Sequence, residues 1–90
     1  MTLVNSDYII KSAENICAKH GVRFTPKRKK LFKVMLRENK ALSAYEIADL
    51  LKETDQVSTP MMSIYRILDF LEQRTLVHKI ASINKYSVCA

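Results

Sequence analysis

A block of basic side chains between Lys19 and Lys40 is the feature of this sequence that most clearly points to a chemistry. The block holds nine of the fifteen Lys and Arg residues and one of the nine acidic residues, Glu38. The rest of the chain is slightly acidic, so the net charge of +6 comes from this block. A local excess of positive charge attracts phosphate backbones and speeds association with them. The alternative is an ordinary solvated helix face, and the block alone does not separate the two.

Arg66 is the best candidate for reading the bases of a duplex. It lies on the polar side of a segment whose apolar residues recur at helical spacing, from about residue 60 to residue 73. A guanidinium on a rigid helix can donate to N7 and O6 of guanine together, which discriminates against other bases by roughly 1–3 kcal/mol. The alternative is a surface arginine paired with Asp69 or Glu72 along the same helix.

Several other side chains near this helix are candidates for contacts with a nucleic acid. Tyr65 could bond a phosphate, and Tyr45 could meet a phosphate or a thymine methyl group. Either tyrosine could instead be a core-edge aromatic with its hydroxyl in water. Ser63 and Thr59 lie at the start of the helix, where the N-terminus attracts phosphate. Met62 is either a contact to a base methyl group or a core residue in a slightly different helix phase.

The dipeptide Thr25-Pro26 predicts the start of another helix, because Thr caps helix N-termini and Pro suits the first helical position. The predicted helix runs from Pro26 to about Glu38 and shows most of the basic block on its polar side. Three basic residues near this start are the predicted clamps on the DNA backbone or minor groove: Arg23, Lys27 and Arg28.

His78 and Cys89 lie on a predicted hairpin and are candidate metal ligands. If the turn has an even number of residues, position 78 pairs with 87, and the two side chains share a face close enough for one tetrahedral metal. An odd turn puts them on opposite faces. Two ligands do not complete a site, so metal binding stays open on spacing alone. The other cysteine, Cys17, continues an apolar stripe and is predicted to be a core residue.

The pattern of elements predicts a mainly α fold with a small antiparallel β hairpin. One Gly and two Pro in 90 residues leave little turn material for a large sheet. Helices are predicted over about 6–20, 26–38, 43–54 and 60–73, with Thr59 as cap of the last, and strands over 76–80 and 85–89. Gly21 closes the first helix, and Ser43 with Glu46 forms a capping box at the third. This order is that of a winged helix-turn-helix, with the hairpin as the wing.

Composition and motifs also exclude several classes of protein. The sequence contains no run of about 18 apolar residues, so a membrane span is not expected. The N-terminus lacks the basic start and apolar middle of a secretory signal, and the two cysteines lie far apart, so we expect a cytoplasmic protein with free thiols. An enzyme is not expected, because the chain has no Gly-rich phosphate loop, no His-Glu-x-x-His run and no nucleophile beside a base.

Four motifs, in order and at matching separations, resemble the N-terminal domain of the ferric uptake regulator family. Ser-Ala-Tyr, Leu-Asp-Phe-Leu and Val-His-Lys most resemble its zinc uptake regulator branch, and the resemblance covers about residue 13 to the end. The motifs are Cys17-Ala-Lys-His-Gly-Val-Arg-Phe-Thr-Pro-Lys-Arg, Ser43-Ala-Tyr-Glu, Ser63-Ile-Tyr-Arg-Ile-Leu-Asp-Phe-Leu and Leu76-Val-His-Lys.

The resemblance implies a bacterial, cytoplasmic transcriptional repressor that binds AT-rich operators as a zinc-loaded dimer. By position, Tyr45 and Arg66 match base-contacting residues of the family. His78 and Cys89 match two ligands of its regulatory zinc site at the domain hinge. Three further residues match its contacts on the sugar-phosphate side: Tyr65, Arg23 and Arg28.

The resemblance also implies a C-terminal domain for dimerisation and for the remaining zinc ligands, whereas this chain stops one residue after Cys89. We therefore expect residues 1–90 to be the winged-helix DNA-binding domain alone. Zinc and the homodimer are expected of the full-length family, and tight zinc binding is not expected of these 90 residues. Two other interpretations remain: a protein-interaction module that uses the face of Met62 and Tyr65, and a compact metal carrier built on His78 and Cys89.

Overall fold

Four helices and a β hairpin follow one another in the predicted order. The computed structural model describes residues 6–56 and 58–88. The helices are α1 (Ser6–Lys19), α2 (Pro26–Glu38), α3 (Ala44–Asp55) and α4 (Met61–Gln73). The strands are β1 (Val77–Ile80) and β2 (Lys85–Val88), joined through one 3-10 turn (Ala81–Ile83). The predicted mainly α fold with a small antiparallel hairpin is confirmed.

Most helix ends lie where the local sequence predicts them. The Thr25 hydroxyl accepts from the Arg28 amide at 3.3 Å at the start of α2. At α3, the Ser43 hydroxyl accepts from the Glu46 amide at 3.1 Å, and the Glu46 carboxylate accepts from the Ser43 amide at 2.8 Å. Gly21 has a φ of +67°, the left-handed conformation predicted after α1.

The predicted cap at Thr59 is wrong. The helix begins one residue later than that cap requires, with Pro60 as the N-cap and no capping side chain. The Pro60 carbonyl accepts from the amides of Ser63 and Ile64 at 2.9 and 3.2 Å. Thr59 therefore lies outside the cap position from which a side chain reaches the first free amides of the helix.

The core is formed by the apolar stripes of all four helices, which pack against one another and against the hairpin. The apolar stripe predicted for α4 consists of Met61, Ile64, Ile67, Leu68 and Leu71; the last four are buried, Met61 is half-buried, and Phe70 is buried as well. The core residues with at most 2 % exposure are Ala13, Cys17, Leu31, Phe32, Val34, Met35, Leu42, Ile47, Leu51, Ile64, Leu68, Leu71 and Val77. Cys17 is thus the core residue that its position predicts.

The hairpin is attached to the helices by backbone pairing as well as by packing. His78 pairs with Ser87 and Val77 with Val88, which is the register of an even turn. Leu42, just before α3, pairs with Tyr86 of β2 through bonds of 2.9 and 2.7 Å. The Lys85 ammonium of β2 also lies 3.5 Å from the Glu46 carboxylate of α3. The wing is therefore held against the start of α3.

Length and apolarity also bear on whether any element could lie in a bilayer. Among residues 6–56 and 58–88, no helix has both the length and the apolar composition that crossing a membrane requires. The longest of the helices, α1, has 14 residues. A membrane span needs about 20 mostly apolar residues in a row.

We expect acid to weaken the start of α3 through Glu46. The bond from the Ser43 amide, with help from Lys85, holds the pKa of the Glu46 carboxyl below its ordinary value of 4.5. A carboxyl whose folded pKa is depressed stabilises the fold above the ordinary value, and this contribution is lost as the pH falls through the folded pKa. Denaturant unfolding followed by circular dichroism on either side of pH 4.5 measures the loss.

Glu46→Gln keeps an oxygen acceptor without the titrating charge, so its stability should fall less steeply in this acid range than that of the parent chain. Glu53→Gln is the matched control, because Glu53 is an exposed α3 acid without an ion pair in the described segments. It should follow the parent. If the stability of all three proteins falls equally steeply with pH, the Glu46 carboxylate is not the source of the acid sensitivity.

Candidate nucleic-acid interface

The rotation of α4 about its axis is set by the burial of its apolar stripe. Ile64, Leu68 and Leu71 have no solvent exposure, so the opposite side of the helix faces outward. Met62 is 65 % exposed on that side, and Arg66 is exposed there too. The interpretation of Met62 as a core residue in another helix phase is therefore wrong.

The outward face of α4 is divided by charge. Its first turn contains no acidic residue, and Asp69 and Glu72 lie in its second half. Arg66 makes no ion pair with either acid in the part of the chain that the structure describes. The N-terminal half of the face is thus free of negative charge, which suits approach to a polyanion.

The four other candidates near the helix-turn-helix differ in exposure. Tyr65 is half-buried and packs against the core, so it stabilises the fold and is also partly accessible at the surface. Tyr45 is 65 % exposed in the first turn of α3. Ser63 and Thr59 are half-buried at the start of α4. Tyr45 is therefore the one of the four whose side chain projects well into solvent.

Ion pairs within the domain engage part of the basic block. Lys29 bonds Glu14 of α1, Lys30 lies 2.9 Å from Asp55 of α3, and Arg37 lies 3.7 Å from Glu38. The bond from Lys29 also lowers the pKa of the Glu14 carboxyl. Such exposed pairs contribute little to stability, but they reduce the net charge that these cations present.

The cations at the start of α2 remain uncompensated. Arg23 and Lys27 are exposed and have no ion pair within the described ranges. They stand on either side of the Thr25 cap, at the helix N-terminus. Lys19, Lys33 and Lys40 are likewise exposed and unpaired within these ranges, so the start of α2 is one of several places in the block where charge stays available to a polyanion.

Arg28 makes two contacts within the domain. It is half-buried, and its guanidinium carbon lies 3.8 Å from the centroid of the Phe70 ring of α4. Its Nη1 donates to the Arg23 carbonyl at 2.8 Å. Arg28 therefore connects the start of α2 to α4 and holds the backbone that carries Arg23.

Sequence reasoning missed the ring on which this connection depends. Phe70 is 9 % exposed and also lies under the guanidinium of Arg74, whose central carbon is 4.8 Å from the ring centroid. Burial of the Cys17 thiol raises its pKa. The charges of Arg74 and Arg28 act in the opposite direction and lower that pKa, but their effect is the smaller one. Phe70 belongs to one helical motif and Arg28 to another, and no local pattern shows that they meet.

The described residues do not by themselves form a zinc site. His78 is exposed on β1 opposite Ser87, as an even turn requires. No group of three or more His, Cys, Asp or Glu side chains in residues 6–56 and 58–88 could hold a metal ion, whereas protein zinc sites use three or four such ligands. Cys89 lies outside the described residues, so its place beside His78 remains a prediction.

Adjacent helices α3 and α4, followed by an antiparallel hairpin at their side, define a winged helix-turn-helix protein. Residues 19–89 match the ferric uptake regulator family, and the chain belongs to that family. It is 38 % identical over 89 residues to the zinc uptake regulation protein of Escherichia coli K12, covering 99 % of this chain and 52 % of that protein. The chain thus spans about half the length of the curated relatives that it matches.

Solved structures show the same similarity. A zinc uptake regulator complexed with zinc and DNA is 37 % identical, with a TM-score of 0.88, and the match covers 97 % of this chain and 57 % of that one. The ferric uptake regulator of Helicobacter pylori is 25 % identical, with a TM-score of 0.77, covering 98 % and 60 % respectively. The predicted family and the predicted winged fold are confirmed.

The Arg28 contact predicts different roles for two neighbouring cations of α2. Arg28→Ala should lower the free energy of unfolding by about 1 kcal/mol, because it removes a partly desolvated cation–π contact. Lys27→Ala removes the same charge from an exposed site and should change that free energy by less than about 0.5 kcal/mol. Urea denaturation of both variants measures the difference, and equal losses would contradict the stabilising role of the Phe70 contact.

Proposed function

We propose that this chain is the sequence-specific DNA-binding part of a zinc-responsive transcriptional repressor. The observation that carries the proposal is the outward face of the N-terminal half of α4, which has no acidic residue and ends at Arg66. In winged and simple helix-turn-helix proteins, the second helix of the pair lies in the major groove and contacts base edges with its N-terminal residues. The similar structure bound to zinc and DNA supports this assignment.

Each candidate residue has a proposed role on this basis. Arg66 donates to a guanine, and Tyr45 extends from α3 toward a second base or a phosphate. Ser63 and Thr59 contact phosphate near the start of α4, and Tyr65 contacts it from the core edge. The flanking backbone is held by Arg23 and Lys27, whereas Arg28 positions Arg23 and offers only its remaining guanidinium hydrogens.

We further propose that residues 1–90 form one DNA-binding domain of a bacterial cytoplasmic regulator that acts by binding and not by catalysis. The curated relatives are about twice as long as their match to this chain. We assign dimerisation and the completion of a zinc site to such additional length. His78 and Cys89 are the residues of this chain proposed as zinc ligands, and an AT-rich operator is the proposed partner.

The two competing interpretations are less well supported. A protein-interaction module would use the face of Met62 and Tyr65, but Tyr65 is mostly committed to the core and Arg66 lies on the same outward side. A metal carrier would need a ligand cluster, and the described ranges contain none of three or more side chains. A DNA-bound relative with the same fold favours the operator-binding role.

Binding to duplexes selected from a random library tests the proposal. Arg66→Ala should lose roughly 1–3 kcal/mol at one base-pair position and should weaken other sequences far less. Lys27→Ala should weaken all duplexes alike and lower the slope of log affinity against log salt by about 0.9. Fluorescence anisotropy with the wild-type and variant chains measures both effects.

Lys52→Ala is a suitable control, because Lys52 is an exposed cation in the last turn of α3 and is not one of the proposed DNA contacts. It should leave the sequence preference unchanged. The proposed function is contradicted if the selection recovers no preferred sequence. It is also contradicted if the affinity for duplexes depends neither on the salt concentration nor on Arg66.

A further inference from the structure

We propose that Met62 is a specificity-determining residue that contacts the C5 methyl group of a thymine within about two base pairs of the base read by Arg66. The inference rests on the proposed function, in which α4 enters the major groove. It adds a base identity and a residue role that neither the fold nor the similarity to relatives assigns.

The exposure of Met62 has no explanation in the packing of the domain. Met62 is 65 % exposed, whereas its neighbour Met61 is half-buried and packs against the core. The large apolar side chains that are exposed in residues 6–56 and 58–88 are Tyr8, Tyr45, Met62 and Ile83. Met62 is the one of these four that lies on α4. In the proposed complex this side chain faces the major groove, where the thymine methyl group is an apolar target.

The position of Met62 relative to Arg66 fits such a target. Residues four apart on a helix lie on the same face, separated by about 6 Å along the axis. Stacked bases repeat at about 3.4 Å along each strand, so the two side chains would reach bases within about two steps of each other. Met62 is the second residue of α4, at the end that contacts base edges in helix-turn-helix proteins.

The chemistry of the side chain selects thymine among the bases. A thioether has no hydrogen to donate to N7 or O4, so Met62 gains affinity mainly by dispersion against an apolar group. The thymine C5 methyl group is the apolar group on the major-groove edge. At a cytosine the same side chain would cover the N4 amino group without accepting strongly from it, which costs free energy. Methionine adapts well to such a contact because it is flexible and polarizable.

Replacement of single thymines by deoxyuridine in the selected duplex tests the proposal, because this change removes only the methyl group. The wild-type chain should bind about fourfold more weakly at one position, the effect of one lost methyl contact. That position should lie within about two base pairs of the one where Arg66→Ala loses discrimination. Met62→Ala should bind the thymine and deoxyuridine duplexes equally.

Two control variants separate the methyl contact from general effects. Met62→Leu keeps an apolar side chain and should retain the sensitivity to deoxyuridine. Ile83→Ala removes an exposed apolar side chain from the hairpin turn and should retain it as well. Met62→Ala should melt at the same temperature as the parent chain, because little of the side chain is buried.

The proposal is overturned if no thymine is sensitive to loss of its methyl group, or if Met62→Ala stays as sensitive as the parent. The second result would assign the methyl contact to another side chain, with Tyr45 as the next candidate. Both results leave the proposed function intact, since Arg66 would still discriminate one base pair. A chain that selects no preferred duplex would instead refute the proposed function itself, and this proposal with it.

Discussion

The burial of one apolar stripe on α4 is the constraint on which the rest of the structure depends. Ile64, Leu68 and Leu71 are fully removed from water, and each contributes roughly 1.5–3 kcal/mol relative to an exposed side chain. Rotation of the helix by even a fraction of a turn would expose part of this stripe. The outward direction of Met62 and Arg66 is therefore a consequence of the core. The backbone that carries these two side chains is therefore already ordered before it meets a groove, and its ordering adds nothing to the cost of binding.

A second set of contacts holds the basic end of α2 against the same helix. Phe70 lies on the buried side of α4, and the guanidinium carbon of Arg28 lies 3.8 Å from the centroid of its ring. Arg28 in turn holds the Arg23 carbonyl, so the cationic segment before α2 is tied to the helix that reads the bases. Lys29 and Lys30 of α2 pair with acids of α1 and α3. These pairs offset part of the charge of the block, whereas Arg23 and Lys27 at the start of α2 keep theirs, as Lys33 and Lys40 do further along.

The local elements of this fold could be predicted from the sequence because their signals are local. Gly21, the Thr25 cap and the capping box of Ser43 each act within one helical turn, and all three have the predicted geometry. The spacing of the apolar residues also predicted which side of α4 faces solvent. Thr59 shows the limit of this reasoning, since a threonine before a proline resembles a cap that the helix does not use.

What could not be predicted depends on contacts between distant residues. The pairing of Leu42 with Tyr86 joins segments more than forty residues apart, and the stack of Arg28 on Phe70 crosses from α2 to α4. Propensity and periodicity carry no information about either contact. For the same reason, the spacing of basic residues indicated nine cations in one block but not which of them are neutralised by acids of other helices.

Backbone amide shifts on addition of a selected duplex, measured by nuclear magnetic resonance, test the central claim most directly. The account predicts the largest changes in two segments, Met62 to Arg66 of α4 and Arg23 to Arg28 at the start of α2. A scrambled duplex should retain the changes near α2 and reduce those at Met62 and Arg66, since phosphate contacts are independent of sequence and base contacts are not. Large changes elsewhere in the chain, with α4 unaffected by either duplex, would contradict the account.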